Sequence, residues 1–99
     1  MDKQTQTQKQ KQTHTPGPWV AHGRNVSVEG RDIEFPVAQV TDILHEAEAF
    51  ANAHLIAAAP ELLEACKKWQ AANVLGDAQL LADARIARDL AIAKAEGNV

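Results

Sequence analysis

A chain of 99 residues, 45% of them hydrophobic, with a net charge of −3, makes one domain at most. Its single cysteine, Cys66, excludes a disulfide framework, and no apolar run approaches the length a membrane span needs. The charge is unevenly placed: residues 1–18 carry Lys3, Lys9 and Lys11 against Asp2, and the rest has seven basic and twelve acidic side chains, a body at −5 that binds duplex DNA poorly.

The opening stretch, MDKQTQTQKQKQTHT, holds no apolar residue after its Met and reads as a disordered, solubilising tail over residues 1–15. About eighty residues remain to fold, and about a fifth of the chain is alanine, so the core of a lone subunit is poor in large side chains. With no disulfide and no evident structural metal, self-association is the remaining way to stabilise so small a core. The lone thiol and the lack of a basic-then-apolar leader point to a reduced cytosolic setting.

Order is expected from TPGPW at 15–19: two prolines fix φ, Gly17 permits a turn between them, and Trp19 is the first possible anchor. From Trp19 to Val40 apolar and polar residues alternate, with Val20, Val26, Val28, Ile33, Phe35, Val37 and Val40 as β-formers. The stretches Gly23-Arg24-Asn25 and Gly30-Arg31-Asp32 supply turns. This predicts a three-stranded antiparallel meander, with Pro36 making the third run an edge strand or a bulge.

Helical signals begin at Thr41 and Asp42, either of which can cap, and an alanine-dense stretch runs to Ala59 with Phe50, Leu55 and Ile56 as its large side chains. Pro60 lacks an N–H and disfavours helical geometry at the residue before it, so it either separates two helices or kinks one. Beyond it, Leu62, Ala65, Cys66, Trp69 and Ala72 share an apolar face, with Leu63 at its margin. Gly76 stops this helix, and Asp77 caps a last one in which Leu80, Ala84, Ile86, Ala87, Leu90 and Ala91 form a broad arc. The expected architecture is α+β over residues 16–99: strands within 19–41, then two or three helices at about 42–59, 60–73 and 77–95.

Catalytic chemistry finds little support. Cys66 falls on an apolar helix face, where a thiol is inert core; Ser27 sits in a strand with no local histidine, and no glycine-rich phosphate loop exists. Asp42, His45 and Glu46 fall within one helical turn, but such residues are commonplace at helix starts, and His45 and His54 point to opposite helix faces. No metal, cofactor or enzymatic activity is expected. Anion binding has more to work with: Arg24 and Arg31 lie in successive turns, Lys67 and Lys68 flank Trp69, and Asn52 and His54 are polar groups in an alanine-rich helix. The candidate ligand-binding set is Trp19, Arg24, Arg31, Asn52, His54 and Trp69.

HTPGPW at 14–19 and NAHLIAAAPELLEAC at 52–66 resemble a set of small phage and prophage proteins sharing a TPGPW opening, a short meander and a NARLIAAAPELLEAL-like helical half. The likeness spans about residues 15–70, with His54 where arginine is common in that set and Cys66 where leucine is common. It implies expression in a host bacterial cytoplasm and carries no activity of its own. By analogy alone, the size, acidity and helical hairpin are similar to those of phage sponges that sequester cyclic-nucleotide or cyclic ADP-ribose immune signals. The expected function is therefore a non-enzymatic, homo-oligomeric anti-defence protein that sequesters a small anionic nucleotide-type signal. The alternatives are a helical interaction module acting on a host or phage protein and, less favoured by the charge, a DNA-associated factor using the tail. A start at Pro60 also offers free N–H groups to an anion, opening beside Asn52 and His54.

Because the tail's composition cannot offset the entropy of ordering it, deletion of residues 1–13 should leave the melting temperature unchanged in a thermal melt. A large fall would show that the tail docks.

Overall fold

The computed structural model describes residues 13–31, 35–41 and 45–98; residues 1–12 of the expected 1–15 tail, the turn residue Asp32, the strand residue Ile33 and the capping residue Asp42 lie outside them. The chain builds β1 (Trp19–His22), β2 (Asn25–Val28), β3 (Ala38–Gln39), α1 (Glu46–Ala57), α2 (Ala59–Leu75) and α3 (Ala78–Ala95). The three strands form an antiparallel meander in the order β1-β2-β3, so the expected α+β class holds.

The hairpin between β1 and β2 pairs Trp19 with Val28 and His22 with Asn25, leaving Gly23-Arg24 as a two-residue loop. Gly23 takes φ 63° there, a geometry such a loop needs and side chains resist. β3 is an edge strand pairing Val26 with Ala38, and it begins only after Pro36, whose ring cannot donate to a ladder. Alternation sends Trp19, Ala21, Val26, Ala38 and Val40 to one face, where Val26 meets Ala53 and Ala57 of α1.

α1 buries Ala49, Ala53 and Ala57, one stripe at four-residue spacing. It starts at Glu46 behind His45, which makes no side-chain cap, so the helix begins later than a cap at Thr41 or Asp42 would place it. Glu46 and Glu48 in its first turn favour the positive end of the dipole. The chain breaks at Ala58, one residue earlier than Pro60's effect on Ala59 suggests, and Pro60 then occupies the first turn of α2, where its missing N–H costs nothing. Two helices therefore meet across a single residue.

α2 and α3 form an antiparallel hairpin. Gly76 ends α2 in the left-handed region at φ 66°, its N–H bonded to the Ala72 carbonyl at 2.8 Å. Asp77 caps α3, its carboxylate accepting from the N–H groups of Gln79 at 2.8 Å and Leu80 at 3.4 Å. Lys94 reaches Glu61 and Arg88 lies over Trp69, which fixes the level of the two helices. In that register Ala65 stands level with Ala91, and Ala72 with Ala84; these four are the hairpin's buried residues.

Two sequence expectations are corrected here. Cys66 is exposed rather than core. Ile86 and Leu90, read as part of the α3 core arc, are 59% and 62% exposed. The cause is common: helices in contact through alanine approach so closely that only a narrow line is covered, and the flanks of each apolar arc fall outside it. A bulky side chain on that line has no room. Ala84→Leu should therefore lower stability by about 1–3 kcal/mol in chemical denaturation, while Ala82→Leu, at an exposed position of the same helix, should change it little.

Candidate functional site

A concavity is built where the stretch before β1 crosses the start of α2. Trp19 anchors that stretch from the sheet: its indole N–H donates to the Thr15 carbonyl at 3.2 Å, and His14 meets its ring edge-on with centroids 6.5 Å apart. The chain between them is thereby folded back, with a cis peptide bond before Pro18. Gly17 is pressed against Pro60: a Cβ added there would stand 2.9 Å from the proline Cβ. Only glycine permits that approach. Ala58 is buried beside this junction in sequence, so the crossing sits where α1 hands over to α2.

Between this strap and the hairpin lies a groove of about 560 Å³. Pro16, Pro18, Pro60, Leu63, Ala87 and Leu90 make its apolar walls. His14, Glu61, Glu64 and Lys68 supply its polar groups. One Glu61 oxygen, Oε2, accepts from Lys94 Nζ at 3.0 Å, and the other, Oε1, is buried without a hydrogen-bond partner. The pair joins the first turn of α2 to the last turn of α3, so each charge also meets a favourable helix end. Both side chains are partly exposed, which limits the pair to about 1 kcal/mol. Two carboxylates on a largely apolar wall do not make an anion site.

The six residues singled out in the sequence are not gathered within one subunit. Trp19 is half-buried against the sheet and α1 core. Arg24 lies over the Phe50 ring, 5.7 Å from its centroid, while Arg31 is exposed in the turn at the other end of β2. Asn52 and His54 are exposed on α1, and the His54 ring packs beside Gly97 at the far end of α3. Trp69 is half-buried with the Arg88 guanidinium 5.9 Å from its ring centroid. None of the six lines the groove at Pro60. The opening there is flanked by the 14–18 strap instead of Asn52 and His54. Sequence reasoning missed Glu61, Glu64, Lys68 and Leu90 as groove residues. Their signal was the proline-flanked Gly17 and Pro60, legible as two motifs but not as one contact.

Chemistry at these positions is limited. Ser27 is buried with its hydroxyl unbonded, so it has no base to activate it, and Cys66 is an exposed free thiol on α2. Among the described residues no cluster of three or more His, Cys, Asp or Glu could hold a metal ion, and no helix is long and apolar enough to cross a membrane.

Residues 2–99 match the family model of Salmonella phage P22 protein Y8K6, and the chain belongs to that family. No curated protein and no solved structure matches it. The Gly17–Pro60 crossing is testable on stability alone. Gly17→Ala should lower the melting temperature, with a cost of about 1–3 kcal/mol, because the close approach of the strap to the proline ring leaves the added methyl no space.

Proposed function

We propose that this member of a phage protein family is a non-enzymatic accessory protein that acts by association: it assembles with itself and presents its helical hairpin to a host or phage protein. The observation that carries this reading is the inversion of the apolar side chains. Among the described residues the largest fully buried side chains are Val26 and Ser27, whereas Leu55, Leu63, Val74, Leu75, Ile86 and Leu90 stand exposed. Large aliphatic side chains left in water on a body this small are the material of an interface. Their partner is supplied in the host cytoplasm, where a phage protein is made.

A second reading, capture of a small anionic nucleotide-type immune signal in pockets between subunits, draws on the cation and aromatic pairs Arg24 with Phe50 and Arg88 with Trp69. One pair joins the β1–β2 loop to α1 and the other joins α3 to α2, so this reading depends on assembly to bring them to a shared pocket. Association is therefore the prior requirement of both.

Mass in solution, followed by melting with and without a panel of cyclic nucleotides and cyclic ADP-ribose, separates the two. The first reading expects a mass that is a multiple of the monomer at tens of micromolar and a melting temperature that no nucleotide moves. A rise of several degrees, as ligand at one hundred times its Kd would give through about 2.7 kcal/mol, would establish the second. A monomer indifferent to every ligand would overturn both.

A further inference from the structure

We propose that the groove at Pro60 is a socket for a second copy of this chain, filled by Leu75 at the tip of the partner's α2–α3 hairpin in a reciprocal, two-fold arrangement. The inference rests on the self-association proposed above and names its surface.

One subunit carries both socket and knob. The groove is about 560 Å³, a volume that holds several side chains, and its walls are Pro16, Pro18, Pro60, Leu63 and Leu90. At the hairpin tip, Val74 and Leu75 are 77% and 68% exposed, the most exposed aliphatic side chains of α2. Leu75 follows the groove residues Glu64 and Lys68 by eleven and seven positions, offsets that return to the same helix face within about 20°. Val74 is turned about 100° away from that face. The knob thus lies in line with the socket, about 16 Å further along a continuous helix, and cannot fold back into its own groove.

This placement selects the occupant. Socket and knob sit at opposite ends of one face, so turning a second hairpin end for end brings each Leu75 to the other's groove at once, and the contact closes on itself as a two-fold dimer must. A foreign helix seated in the groove would cover the socket and leave Leu75 in water. The face is two helices wide and about 25 Å long, on the order of what a standard interface of roughly 800 Å² a side takes. Between the ends the face carries the small side chains of Ala71 on α2 and Ala87 on α3 together with the long, flexible Lys68, whose stem can lie along an apolar neighbour.

Sedimentation of full-length wild type, Leu75→Asp, Leu90→Asp and Val74→Asp, with circular dichroism on each, tests the arrangement. All three substitutions are at exposed positions. Wild type should be a dimer; Leu75→Asp and Leu90→Asp should each raise the dissociation constant at least tenfold with helix content unchanged, and Val74→Asp should behave as wild type. A wild-type oligomer left intact by both Leu75→Asp and Leu90→Asp overturns the socket while self-association stands. A monomeric wild type overturns both. Should an Asp variant lose its helices, two single-cysteine proteins answer the same question in a Cys66→Ala background, one carrying Leu75→Cys and the other Leu63→Cys. Preferential formation of the mixed disulfide on oxidation supports the arrangement, and equal formation of all pairs, or of none, overturns it.

Discussion

Everything in this molecule depends on how little its interior can hold. The α2–α3 contact runs over Ala65, Ala72, Ala84 and Ala91, and α1 turns Ala49, Ala53 and Ala57 inward, so the covered line of each helix is made of methyl groups. Close approach gains many weak dispersion contacts along a line, and it loses the area that leucines and phenylalanines would bury. A core of this kind is thin. The side chains that would thicken it, Ile86 and Leu90 among them, remain on the flanks in water. Exposed aliphatic surface is thus the geometric consequence of an alanine seam rather than a defect added to it.

A second constraint closes the other side. Trp19 carries the chain from the sheet back to Thr15, and Gly17 lets that strap touch Pro60 without a side chain between them. Each position calls for a different residue type. The anchor needs an indole's apolar body and its N–H donor, the strap needs a residue without a Cβ, and the helix start tolerates a ring without an N–H. Together they hold the short sheet, α1 and the hairpin in one arrangement and leave the groove along the line where strap and hairpin fail to meet. The Glu61–Lys94 pair ties the open end of the hairpin beside it.

For function the balance of surfaces matters more than any one group. The cations nominated for an anion are separated, with Arg24 and Arg31 at opposite ends of β2 and Arg88 across the hairpin, while the groove presents Glu61 and Glu64. Electrostatic capture by a lone subunit therefore has no focus. Large apolar side chains are instead concentrated on the hairpin, where Leu63, Val74, Leu75, Ile86 and Leu90 stand exposed.

The sequence by itself determined the order and kind of the elements. Gly23 in a two-residue loop, Pro36 before an edge strand, Gly76 with Asp77 between helices and Pro60 at a helix start are local signals, each read from the conformations those residues permit. That the chain is a phage protein was also read from the sequence, and the family match over residues 2–99 bears out that much. What only the tertiary structure decided was burial. Periodicity ranks Ile86, Leu90 and Cys66 with the alanines beside them, because a helix's apolar arc is a property of one helix, whereas the width of that arc actually covered is set by how close the neighbour comes. The same limit hid the groove. Gly17 and Pro60 each announce a bend, yet that the two bends touch, and that Glu61, Glu64, Lys68 and Leu90 line the space beside them, follows from long-range packing that no local pattern encodes.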